Sequence, residues 1–215
     1  DQLGRWNRSI CAGVAGLRSR YAQFVIDRMA QRTFEIDLNV GEPGCNANVL
    51  IIVSTDPDGI ARNLYENHRR ALGYYDDLHE STRGRAAFRD TFLNSDAPVR
   101  WWHVSGTASA GGQLITRASA GPCRSRGSTM LSLQSCYPTN QDSGGVSRLR
   151  ARTQEQFRSA FIIVDANRLP EIGNDFNVLA DYIAMVTLAQ LDPEADVSAY
   201  PSVLNLWRSN PAPAA

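Results

Sequence analysis

Two short apolar runs constrain this chain more than any other feature. Val49-Leu-Ile-Ile-Val53 and Phe161-Ile-Ile-Val164 are continuous, rich in β-branched residues and too short for buried helices. A strand without polar alternation is covered on both faces, so a sheet built on these runs needs packing above and below it. The most apolar helix candidate, Phe176 to Leu191, follows the second run. Its apolar residues leave little room for a polar face, which makes it a central helix. Further strands are expected at 34–40, where Phe34, Ile36, Leu38 and Val40 alternate with polar residues, and at 99–104 and 113–118. Helices are expected at 14–32, 60–72 and, more weakly, 84–93. The expected fold class is α/β (α+β): a mixed, twisted sheet of about five strands with the apolar helix packed on it.

The 215 residues amount to one domain, expected to span 1–215. A Ser-, Gly- and Arg-rich stretch at about 119–147 reads as an insertion, and 209–215 as a flexible tail. Charge excludes some functions. Twenty-two acidic residues balance 22 basic ones, whereas a chain that neutralises phosphates normally carries a basic excess, so no nucleic-acid partner is expected. No apolar run approaches the roughly 20 residues of a membrane span. Every basic residue is Arg; with no Lys there is no Schiff-base nucleophile and no Walker-type lysine.

The four cysteines, Cys11, Cys45, Cys123 and Cys136, have no C-x-x-C spacing, which argues against a zinc ribbon or a thioredoxin-like redox site. They allow three pairings. Cys123 and Cys136 flank one loop, and Cys45 precedes a strand that returns beside the Cys11 helix, so Cys11–Cys45 and Cys123–Cys136 are the expected bridges. Bridged cysteines imply an oxidising compartment, periplasmic or extracellular. The chain opens on Asp1 rather than Met, consistent with removal of a signal peptide.

Four constellations are candidates for chemistry. Gln141-Asp-Ser-Gly-Gly145 is similar to the nucleophile loop of trypsin-like proteases, but none of the three histidines stands in that family's A-A-H-C context. A triad is defined by geometry, which a five-residue match does not supply. Asp76-Asp-Leu-His-Glu80 gathers carboxylates and an imidazole, yet neighbours on one short segment seldom converge on one ion. Arg100-Trp-Trp-His103 places Trp101 and Trp102 on opposite faces of a strand. One indole belongs to the core; the other is a candidate contact residue beside His103. Asp165 ends a buried strand, where α/β proteins place active groups or helix caps.

Cys45-Asn-Ala-Asn-Val49, Pro98-Val-Arg-Trp-Trp-His103, Leu179-Ala-Asp-Tyr-Ile-Ala-Met185 and Tyr200-Pro-Ser-Val-Leu-Asn-Leu206 together resemble an uncharacterised family of exported proteins from GC-rich Gram-negative bacteria. A more distant resemblance is to zincin-type metalloproteases, whose active-site helix carries H-E-x-x-H. Laid on that motif, the helix offers Asp181, Tyr182 and Met185. A phenol titrating near ~10 does not replace the glutamate base, and a thioether is a poor zinc ligand. The resemblance therefore implies a zincin-like domain that has lost its hydrolytic centre, with no cofactor and no metal. The expected function is non-catalytic: an exported binding or accessory subunit of a cell-envelope assembly, with an outer-membrane protein as one candidate partner. Its candidate contact residues are Trp101, Trp102, His103 and Asp181. The alternative is a periplasmic or surface hydrolase, carboxylate-based or metal-dependent, using Asp165, Asp181 and His103.

Overall fold

The computed structural model describes residues 3–75, 78–79, 87–109 and 153–207. The chain divides into two compact units, one formed by Asp1–Gly106 with Glu155–Ala215, the other by Thr107–Gln154. Within the first unit the elements run β1 (Arg5–Trp6), β2 (Ala12–Ala15), α1 (Ser19–Glu35), β3 (Val49–Ser54) and α2 (Pro57–Asn67). A small ladder follows, β4 (Tyr74–Tyr75) on β5 (Leu78–His79), then a π-helical turn at Arg89–Leu93. β6 (Val99–Ser109) and β7 (Thr153–Asp165) extend from the first unit into the second. A 3₁₀ segment (Ala166–Ile172), α3 (Phe176–Leu188) and a short 3₁₀ turn (Val203–Asn205) complete the order.

The sheet follows the path β1-β7-β3-β2, with every pairing along it parallel. β6 is the fifth strand and pairs β7; the Asp165 N–H donates to Pro98 O at 2.9 Å, so the end of β7 meets the start of β6. The two apolar runs are neighbours at the centre, Ile51 opposite Ile162 and Val53 opposite Val164. The α/β expectation, with an apolar helix packed on a five-stranded sheet, holds.

Strand parity divides the interior in two. Val49, Ile51 and Val53 of β3, Val99 and Trp101 of β6, and Ala160, Ile162 and Val164 of β7 face α1 and α3. On the other face, Leu50, Ile52, Trp102, Val104, Phe161 and Ile163 meet Ala61 and Leu64 of α2, with Leu72, Phe88 and Phe92. Continuous apolar strands follow from this three-layer arrangement, because neither face of the central pair meets water.

Local chemistry sets the helix limits. β2 turns into α1 at Gly16, whose φ of 86° suits glycine and whose added Cβ would lie 1.9 Å from Val53 O. Val25, Met29 and Thr33, spaced one turn apart, form the buried stripe of α1. Asp56 caps α2 by accepting the Gly59 N–H, with Pro57 in the first turn. Asp175 caps α3 through the Asn177 and Val178 N–H groups. α3 ends at Leu188, three residues short of the expected Leu191.

The expected strand at 34–40 is not formed. α1 continues to Glu35, and Asp37 turns the chain with φ 59°. Only an isolated parallel bridge, Ile10 to Val40, remains. The alternating pattern there is real, but Phe34, Ile36 and Val40 are exposed and of its apolar members only Leu38 packs on the core. The expected helix at 14–32 also starts late, because Ala12–Ala15 is drawn into the sheet beside β3. The expected strand at 113–118, the insertion at 119–147 and the tail at 209–215 lie outside the described residues.

Candidate functional site

Neither indole of the Trp-Trp pair lies on the surface. Trp101 is 7% exposed and Trp102 2%, because the strand that separates them is covered on both faces. Trp101 meets the edge of Tyr182 on the α3 side. Trp102 sits edge-on to Phe88 and donates its Nε1–H to Leu72 O at 3.2 Å. His103, 8% exposed, stacks on Phe157 with ring centroids 4.3 Å apart. Its Nε2 lies 2.9 Å from Thr187 O, which also accepts the Trp6 Nε1–H at 2.8 Å. A carbonyl only accepts, so His103 Nε2 carries a ring proton. The histidine thus joins β6 to α3 beside β1, a buried structural position.

Asp181 stands where two helices meet. Arg28 and Arg32, one turn apart on α1, each present a fork to it. Arg28 donates through Nε (2.8 Å) and Nη2 (3.0 Å), Arg32 through Nε (2.8 Å) and Nη2 (2.9 Å). Both carboxylate oxygens are therefore taken twice, a geometry that suits Arg and not Lys. Hydrogen bonds from Arg32 and Arg28 hold the Asp181 carboxyl well below the usual carboxylate range, and the same bonds raise both guanidiniums. Arg32 also donates to Glu35, whose carboxyl is lowered in turn. Of the residues at the zincin motif positions, Asp181 forms this clasp, Tyr182 is buried among core aromatics and Met185 is partly exposed. Asp181→Asn is expected to lower stability near neutral pH by about 1–2 kcal/mol, discounted for partial exposure. A carboxyl depressed in the fold contributes fully above its unfolded pKa and loses that contribution as pH falls through the folded one. Urea titrations from about pH 7 to about pH 2 should therefore show a flatter acid limb in the variant than in the wild type.

The remaining candidates are dispersed. Asp165 caps the 3₁₀ segment after β7, accepting Asn167 N–H and Nδ2–H at 2.9 Å each. Asn167 Nδ2 also reaches Thr55 O at 2.9 Å, fastening the end of β7 to the end of β3. Among the described residues no three His, Cys, Asp or Glu side chains are grouped to hold a metal. Cys11 and Cys45 form the expected bridge. Cys123, Cys136, the Gln141–Gly145 motif and the carboxylates Asp76, Asp77 and Glu80 lie outside the described residues.

Sequence reasoning overlooked two guanidinium contacts. Arg28 and Arg32 were legible only as an i, i+4 pair, with nothing to say that one carboxylate answers both. Arg100 is buried on the α2 side, paired with Asp58 and donating to Phe92 O at 3.3 Å.

Among the described residues Leu3, Phe24, Met185 and Tyr200 are exposed apolar side chains spread over the chain, and three more lie close in sequence at the end of α1. Phe34 is 76% exposed, Ile36 54% and Val40 38%, within seven residues of chain. Leu38 packs on the core, the Ile10 N–H donates to Asn39 O and the Gly41 N–H to Ile10 O. The Cys11–Cys45 bridge ties the following loop to the start of β2, and Gly41 lies against it. These exposed apolar side chains are thus carried on an anchored segment. No protein-family model, curated protein or solved structure matches this chain.

Proposed function

We propose that this chain is a non-catalytic binding or accessory domain of an exported protein, acting in the cell envelope by holding a protein partner. The observation that carries the reading is the anchored apolar row Phe34, Ile36 and Val40 at the end of α1. Contiguous exposed apolar side chains rimmed by polar residues mark contact surfaces. The groups that a hydrolase would use have structural work instead: Asp181 clasps two helices, Asp165 caps a turn and His103 bonds a backbone carbonyl in the core. The Cys11–Cys45 bridge supports an oxidising, exported setting. No helix among the described residues is long and apolar enough to cross a membrane. In this reading an outer-membrane protein is one candidate partner.

A degenerate zincin-like ancestry belongs to this reading. It rests on the apolar α3 lying along the sheet, with a clasp residue and a packed phenol where that family keeps ligand and base. Gel filtration of detergent-solubilised envelopes tests the proposal. The chain is expected to elute in a complex well above its own 23.7 kDa. Elution as the lone chain at every detergent concentration contradicts it.

A further inference from the structure

β2 is the last strand on its side of the sheet and pairs β3 alone. Backbone groups of successive strand residues point to opposite edges. The Cys11 carbonyl accepts the Val49 N–H on the β3 side, whereas the Ile10 N–H donates to Asn39 O and its carbonyl accepts the Gly41 N–H on the other. Ala12 and Val14 therefore turn their N–H and C=O groups to the side that Ile10 uses, away from β3. Among the described residues nothing answers them there. Proteins guard such an edge with charge, proline, a bulge or shortness. Ala12-Gly-Val-Ala15 has no charge and no proline, and its register with β3 is unbroken. What guards it is length.

The opening has two stops. Val40 holds the place beside Ile10, and Gly16, with φ 86°, turns the chain into α1. A long strand laid along this edge meets Val40. β2 itself does not: in an antiparallel pair centred on Val14, Ala12 of one copy faces Gly16 of the other, where that chain already turns away. The helix beside the edge fits the same symmetry. Tyr21 stacks on Phe176, and Arg28 and Arg32 reach Asp181, so this flank of α1 faces α3. Val25 and Met29 belong to the core over the sheet. α3 lies over β6, where Tyr182 meets Trp101 and Thr187 O meets His103, so the opposite flank of α1 overhangs the open edge. Helical spacing puts Ala22, Ile26 and Ala30 on that flank, all three half-buried. A two-fold axis through the paired strands brings this uncharged stripe against its own copy, and the two alanines allow close approach. Charge raises no barrier. The chain carries 22 acidic and 22 basic residues, and Arg18, past the end of one strand, comes near Arg8 and Glu42 of the second copy, which have opposite signs. We propose that β2 is an isologous dimerisation edge whose partner is β2 of a second copy of this chain, paired antiparallel so that two five-stranded sheets become one.

Sedimentation of the full oxidised chain from about 1 to about 300 µM should show a monomer–dimer equilibrium. As the dimer fills, the Ala12 and Val14 amides should exchange with deuterated water at least about tenfold more slowly than in the dilute chain. Ala15 is exposed, and Ala15→Lys sets two like charges near each other at the seam. Val14→Pro removes an outward N–H that the β3 ladder does not use. Each should weaken the dimer at least about tenfold. Ala15→Lys should do so with the melting temperature of the dilute chain unchanged, which keeps the test decisive if Val14→Pro fails to fold. A monomer throughout leaves the edge to a foreign strand and overturns the proposal. So does a dimer that Ala15→Lys leaves intact, or one in which the two amides exchange as fast as in the dilute chain. Slow exchange of both amides in the monomer means that another part of the chain fills the edge, and overturns it as well. None of these outcomes bears on the partner contact proposed at the end of α1.

Discussion

Replacing Cys11 and Cys45 together by serine is expected to remove about 4 kcal/mol of stability, the loop-closure entropy of a bridge spanning 34 residues. The bridge crosses from the start of β2 to the loop after α1 and so encloses the whole β2–α1 segment. In the unfolded chain it forbids most separations of those ends; in the folded chain they are already together. Other ties remain without it: Asn48 Oδ1 accepts the Cys11 N–H at 2.8 Å, Asn48 Nδ2 donates to Ser9 O at 2.9 Å, and Ile10 bonds both Asn39 and Gly41. The variant should therefore fold to the same sheet and show its loss in urea denaturation. The m-value should rise, because the unbridged denatured chain exposes more surface. A loss below about 1 kcal/mol would show that the bridge adds little to what those hydrogen bonds already secure.

Trp102→Ala should lower stability by about 3–5 kcal/mol, the range for emptying a buried aromatic site. The indole fills the layer between β6 and α2, against Phe88, and its Nε1–H satisfies Leu72 O. Alanine leaves a cavity and an unanswered carbonyl. Trp102→Phe keeps most of the packing and loses only the bond, so about 1–2 kcal/mol is expected. Guanidinium denaturation of the two variants separates these contributions. A negligible effect of Trp102→Ala would mean that the second layer does not pack as described and that the indole faces water.

The contrast between the two tryptophans shows how far the sequence could be followed. Adjacent residues on a strand point to opposite faces, so a core role for one of them was readable. That both are buried depends on α2 and the Phe88–Phe92 segment, whose packing carries no local signature. The central runs 49–53 and 161–164 and the apolar α3 were legible because burial on all sides leaves a composition that nothing else imitates. β2 was not, since Ala12-Gly-Val-Ala15 has little strand propensity and is a strand only because β3 pairs with it. Residues 34–40 misled in an informative way. Their period of two matched a half-buried strand, yet α1 overruns its start and Asp37 reverses the chain. The candidate site was legible as residue types and not as roles. Asp181 read as a ligand or contact residue, but its double arginine clasp depends on the distance between α1 and α3, which no spacing reveals. The Cys11–Cys45 pairing was readable because Cys45 precedes a strand able to return beside the helix that follows Cys11, although that strand in fact pairs the unforeseen β2.

The central claim is that the domain acts by holding a partner at the end of α1. Native gel electrophoresis of solubilised envelopes from cells carrying wild-type chain or the Phe34→Ser/Ile36→Ser variant tests it most directly. Both side chains are largely in water, so the variant should fold with an unchanged melting temperature. The account predicts that the wild type migrates in a larger complex and the variant as the free chain. Equal migration of the two, whether bound or free, contradicts it.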